Sequence, residues 1–324
     1  MEGSYLLAKK IVEYKYPDDY KYKSFLIVAL YAFLNKYKGY EELVCDTFLK
    51  TRICIEKMDV GHILYKYGYQ DEKKNESSIY IRVKGITDYG RILRHYKSDG
   101  FVCCRRRPII ACDSRFVSNT LLLNYFCHEF NHLIKSQIND LFISNNVHDY
   151  MNIRCGISHT TYKHNKDSNK IKIIHSGRTF EEVLNVLQTT DIIKDVKTLK
   201  DFVCDKEVIL FLDSLSDKKL RKHIGYEGVV SVVCDLWECD NFREIYENNV
   251  IEGNTDIVIK SFDNIVGDNS FDYLSELLDK IDYSMSSCLF SMYKKRFIKE
   301  ANAIVNNYLS ASKNKEYILT NNNF

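Results

Sequence analysis

Apolar and polar positions alternate along this chain with two periods, one near 3.6 residues and one of two. Lys23–Tyr37 (KSFLIVALYAFLNKY) is strongly apolar with a helical spacing and predicts an amphipathic core helix. Tyr40–Lys50 and Glu56–Tyr67 read as shorter helices, the second closed by Gly68, a common stop after a helix. Ser78–Val83 (SIYIRV) alternates and is rich in β-branched residues, which predicts a strand. Phe101–Cys104 and Pro108–Cys112 are two further short strand candidates around an arginine run. From Ser118 the helical period returns, and Ser118–Asn139 predicts a long helix with Ser118 or Asn119 as its N-cap. Met151–Tyr162 and Lys170–His175 are strand-like, and the polar KHNKDSN between them predicts the turn of a β-hairpin. Thr179–Asp195 is again helical. Thr198 to about Asn314 is mostly helical and ends in a long amphipathic helix from Tyr283 to about Leu309. No repeat or Pro/Gly-rich linker interrupts this order, and the softest division falls near Thr198. Two parts are therefore expected, 1–197 and 198–324, the second a helical subdomain completing the cleft.

Composition narrows the class. The chain has 324 residues, 45% of them hydrophobic, 28% charged and only two proline, values of a globular protein rather than a disordered or collagen-like one. No apolar run reaches the roughly 18 residues of a membrane helix. A net charge of +2 gives no reason to expect nucleic acid or an anionic membrane as partner. The eleven cysteines are odd in number and include no CxxC pair, and MEGSYLLAKKIVEYKY has no uncharged apolar stretch resembling a secretory signal. Reduced, mostly buried thiols in a cytoplasmic protein are expected. Arg105-Arg106-Arg107 reads as a solvated loop. The adjacent Cys103-Cys104, and Cys234 with Cys239, lack metal-ligand spacing. There is no GxSxG and no glycine-rich phosphate loop.

The chemistry concentrates in His128-Glu129-Phe130-Asn131-His132, an HExxH pattern inside the Ser118–Asn139 helix. Residues four apart share a helix face, so both imidazoles can converge on one cation. Glu129 lies about 100° around the helix, where it can accept a proton from water acidified by zinc without itself ligating. Leu121, Leu122, Phe126, Phe130, Leu133 and Ile134 would bury the rest of the helix and leave a dry floor. A zinc site needs a third protein ligand. Glu182 stands 50 residues after His132, at the start of the next predicted helix. It also fits a capping box, Thr179-x-x-Glu182. Glu181, on a different face, competes for the role, as do the hairpin histidines His159, His164 and His175.

A His-Glu-x-x-His helix, a strand pair and a second helix bearing a glutamate resemble the gluzincin class of zinc metallopeptidases, most closely its small bacterial-type members. The similarity lies in HEFNHLIK (His128–Lys135), RCGI (Arg154–Ile157) and EEVLNVLQT (Glu181–Thr189), and it covers about Ser118–Asp195. It implies His128, His132 and Glu182 as ligands of Zn²⁺ and Glu129 as general base. It implies an α+β, zincin-like fold with a small mixed sheet, an active-site helix and a mainly helical C-terminal part. Gly225-Tyr226-Glu227 is similar to a tyrosine that opens a helix in such proteins, and Tyr226 becomes the candidate oxyanion donor, with His223 and Tyr162 as alternatives. Asn185 could orient an imidazole. Met151–Tyr162 could pair with a peptide substrate as an edge strand. Val183, where members commonly carry a small residue, and Asn131 inside the motif are departures. The activity implied is hydrolysis of peptide bonds in a peptide or protein substrate. The competing reading is an idle zincin fold used as a protein-binding or regulatory module.

Overall fold

The computed structural model describes residues 2–69, 85–88, 92–97, 100–105, 108–144, 148–165, 167–168, 170–217, 237 and 240–276. The predicted strand Ser78–Val83, the helix Tyr283–Leu309, His223 and Tyr226 lie outside them. The chain is mixed α and β, and it divides into two compact units, each built from two stretches: 1–134 with 188–222, and 135–187 with 223–324.

In the first unit, α1 (Glu2–Lys15), α2 (Lys23–Lys36) and α3 (Glu41–Lys50) precede β1 (Arg52–Glu56) and α4 (Val60–Lys66). Residues 25–34 of α2 are all buried, so this helix is surrounded by protein on every side rather than amphipathic. Gly68 follows α4 with φ of 76°, as its role at a helix end requires. Glu56, expected to open that helix, ends β1 instead. The strands β2 (Gly85–Asp88), β3 (Ile92–Lys97), β4 (Gly100–Arg105) and β5 (Ile109–Asp113) follow. β5 is the centre of a three-stranded mixed sheet of order β1-β5-β2, parallel to β1 and antiparallel to β2. β3 and β4 form a separate antiparallel pair. All five β5 residues are buried.

Helix α5 (Asn119–Ile134) carries the HExxH pattern. Phe126 and Phe130 stack on its inner face with centroids 5.8 Å apart. Phe25 and Phe33 of α2 and Phe48 of α3 meet them edge-on at 4.8–6.0 Å. These aromatic contacts hold the helix by the face opposite to its chemistry. The 3₁₀ turn Val196–Asp201 and α7 (Lys206–Asp213) complete the unit.

The second unit contains an antiparallel meander: β6 (Ser136–Ser144), β7 (His148–Cys155), β8 (Ser158–Asn165) and β9 (Lys170–Ser176), paired in that order. Helix α6 (Arg178–Ile193) follows; its residues through Leu187 belong here and the remainder to the first unit. Helices α8 (Asp240–Val250) and α9 (Thr255–Val266) contribute Phe242 and Phe262, which pack with Phe180 and Phe271 at centroid distances of 5.2–6.0 Å. Among the described residues no helix is long and apolar enough to cross a membrane.

Two differences from the sequence reading lie next to the HExxH helix and the strands after it. The helix expected to reach Asn139 stops at Ile134. The Lys135 carbonyl accepts from Gly156 N–H at 3.3 Å, and Ser136 and Gln137 pair with Cys155 and Arg154. Strand pairing thus takes over from a sequence whose apolar spacing still suits a helix. The strand expected over Met151–Tyr162 is broken by a two-residue turn, Gly156-Ile157, which makes it the adjoining halves of β7 and β8. Gly156 has φ of 58° and Ile157 does not go positive, a pattern that favours glycine at the first turn position. Both halves are interior strands, bonded on either side. The edge-strand role proposed for Met151–Tyr162 therefore falls, because its backbone groups are already paired. The outer strands of this sheet are β6 and β9.

Candidate metal centre

Ser118 caps α5: Leu122 N–H bonds to its carbonyl at 2.9 Å and Leu121 N–H reaches its hydroxyl at 3.4 Å. Ten residues on, His128 is half-buried and His132 is 5% exposed. Their Nε2 atoms are 3.2 Å apart, with the rings nearly perpendicular at 86°. Two nitrogens bound to one tetrahedral zinc at about 2.0–2.1 Å would be separated by roughly 3.3 Å. The observed spacing fits that geometry, and it is set by one helical turn. Glu129, half-buried, is placed toward β5: the Cys112 thiol there is pushed well above its usual range by burial and then by the Glu129 charge. Beneath the motif, burial also raises the Cys127 thiol.

The polar residues between and after the two histidines are anchors. Asn131 is fully buried. Its Oδ1 accepts from the Tyr37 hydroxyl at 2.6 Å, and its Nδ2 donates to Gln188 Oε1 on α6 at 2.9 Å. Its presence inside the motif thus serves packing of α5 against α2 and α6. Lys135, one residue past the helix, is also fully buried. Its Nζ donates to Glu181 Oε1 at 2.5 Å and to the Tyr246 hydroxyl at 3.0 Å, and it lies 5.5 Å from the Tyr246 ring centroid. Tyr246 OH in turn reaches both Glu181 oxygens, at 3.0 and 3.1 Å. Ile157 N–H donates to Glu181 Oε2 at 2.9 Å. Arg154 donates from Nη1 to the carbonyls of Gly156 and Val250, at 3.0 and 2.9 Å. Burial lowers its guanidinium from the usual arginine range. The segments HEFNHLIK, RCGI and EEVLN therefore meet through Lys135, the Gly156-Ile157 turn and Glu181.

This arrangement separates the two adjacent glutamates. Glu181 is 1% exposed and its oxygens are engaged by an ammonium, a phenol and an amide. Glu182 is half-buried. The capping-box reading of Glu182 is displaced. Helix α6 starts at Arg178, and Glu181 N–H bonds to the Gly177 carbonyl at 3.0 Å, so Thr179 lies inside the helix rather than at its cap.

Of the other candidates, His159 is exposed on β8. The backbones of Tyr162 and His164 lie in β8 and that of His175 in β9. Asn185 is fully buried on α6, one turn from both glutamates. The sequence motifs include Lys135, Arg154 and Gly156 but give them no role, and sequence reasoning missed Tyr246. Lysine after an apolar run and glycine inside an alternating strand were available signals; Tyr246, in the polar helix DNFREIYENNV, offered none. Comparison with protein-family models, with curated proteins and with solved structures finds no match for this chain.

Proposed function

We propose that the protein is a zinc-dependent peptidase of gluzincin type, in which His128, His132 and Glu182 hold the ion and Glu129 is the general base. The observation that carries this reading is the 3.2 Å separation of the two Nε2 atoms on α5, the span that one tetrahedral cation needs. Glu182 is assigned the third ligand from the sequence resemblance. Zinc, when bound, polarises the scissile carbonyl and acidifies water. Glu129 lies one residue around the helix from His128, outside the ligand set, where it takes the proton and returns it to the leaving amine. The aromatic floor of Phe126 and Phe130 excludes water from behind the ligands. Tyr226 is assigned the oxyanion donor from the sequence resemblance alone. The mixed sheet of order β1-β5-β2, followed by α5, suits a zincin-like fold. The substrate is a peptide or protein, and the free thiols suit a cytoplasmic setting.

Metal analysis and peptide cleavage test the reading together. Wild-type protein should hold one zinc per chain, lost in His132→Ala and bound more weakly in Glu182→Gln. Glu129→Gln should keep the metal and lose roughly 10²–10⁴-fold in kcat on a peptide library. Zinc retained at full stoichiometry in His132→Ala would refute the ligand assignment. Zinc-loaded wild type that cleaves no faster than Glu129→Gln would favour a binding module instead.

A further inference from the structure

We propose that one face of the β7-β8-β9 meander binds single-stranded nucleic acid through paired lysines. Register sorts the residues of these strands onto two faces. On one of them Arg154 stands opposite His159, Thr161 opposite Ile174, and Lys163 opposite Lys172. This set, taken at alternate positions through 148–154, 159–165 and 170–176, contains no aspartate or glutamate. The intervening positions include Met151, Ile153, Ile171 and Ile173, the pattern of an antiparallel sheet with one apolar and one wet face. His159, Lys172 and Ile174 are exposed and Thr161 and Lys163 half-buried, so the basic set is the wet one. The net charge of +2 averages over this face and conceals it.

Like charges directly opposite each other destabilise a sheet. A lysine on an outer strand protects that edge from pairing, and β9 is an outer strand. That accounts for Lys172 but not for a second lysine facing it from an interior strand. A polyanion lying across β8 and β9 turns the repulsion into attraction. At the other end of the face, Arg154 Nη2 is buried without a hydrogen-bond partner, and the Asp256 charge of α9 acts on His159. Phosphate contact therefore belongs to the Lys163–Lys172 end. Between the two ends, Thr161 and Ile174 offer uncharged surface on which a base can lie. An acidic peptide would use the lysines and leave that surface idle. β8 and β9, of 8 and 7 residues, are roughly 25 Å long, room for a few nucleotides.

Fluorescence anisotropy of the full chain with a fluorescein-labelled oligothymidylate, read over a salt series, tests this. Binding should weaken steeply as salt rises. Lys172→Ala should lower affinity roughly 5–10-fold near 50 mM salt, and flatten the slope of log K against log salt by about 0.7, the share of one phosphate contact on a single strand. Lys163→Ala/Lys172→Ala should flatten it about twice as much. Lys57, exposed in the other unit, supplies the control, and Lys57→Ala should change neither affinity nor slope. Lys172 is exposed, so its variant should unfold thermally like wild type. Wild type that does not bind, or whose affinity and slope survive both lysine variants, would overturn the proposal. So would equal affinity for labelled polyglutamate of matched charge, which carries no bases.

Discussion

Gly156 shows how much can depend on one missing side chain. Its φ of 58° already disfavours any L-residue, and an added Cβ would overlap the Glu181 carboxylate at 2.0–2.3 Å. Gly39 provides the control: its φ is 91°, but nothing lies within 4 Å of an added Cβ. Gly39→Ala should cost only the conformational term, about 1–2 kcal/mol. Gly156→Ala should add the overlap and exceed about 3 kcal/mol, measured by denaturant unfolding of the two variants side by side. Equal losses would mean that the turn can move off the carboxylate freely. The same residues explain what could be read beforehand. The pairing of His128 with His132 is a property of one helical turn and needs only local sequence. The engagement of Glu181 as a buried counter-ion depends on a lysine 46 positions upstream and a tyrosine 65 positions downstream, and no local pattern encodes either.

Elements were legible where their own periodicity decides them and illegible where pairing does. Helix α6 and strands β5 and β9 lie where their apolar spacing predicts. The C-terminal end of α5 does not, because Ser136 and Gln137 find partners in β7 before the helical pattern runs out. Helix α7 illustrates an element secured from afar. Asp205 accepts from the amides of Glu207 and Val208 at its first turn, and it pairs with Lys9 of α1 at 3.2 Å across 196 positions. Burial alone would raise the Asp205 carboxyl, but Lys9 and the two amides outweigh it and hold the group below the usual carboxylate range. A depressed folded-state value means that this stabilisation is fully present above about pH 4 and is lost as pH falls through the folded value. Asp205→Ala should therefore cost about 1 kcal/mol at neutral pH. The gap to wild type should close in acid unfolding below about pH 4. A gap that stays constant down to pH 2 would show that the charge on Asp205 contributes nothing.

At the scale of the whole molecule, the thiols offer a test of the proposed zinc. Cys204 is exposed, whereas Cys54, Cys112 and Cys127 are buried. Burial pushes the Cys54 thiol up to about 11 and also raises the other two, so none of the three supplies thiolate at neutral pH without opening. Cys127 immediately precedes His128 on α5, so exposing it requires that helix to come apart, and a helix that has come apart cannot hold both imidazoles on one ion. Zinc binding to the folded form should then protect Cys127 by mass action. At a free zinc concentration of about 100 Kd the stabilisation is about 2.7 kcal/mol, which corresponds to labelling about 100-fold slower when opening precedes reaction. Iodoacetamide labelling followed peptide by peptide in mass spectra should show this slowing at Cys127 and no change at Cys204, and His132→Ala should abolish it. If zinc slows both cysteines alike, it is acting on the reagent. If it slows neither, α5 does not carry the metal.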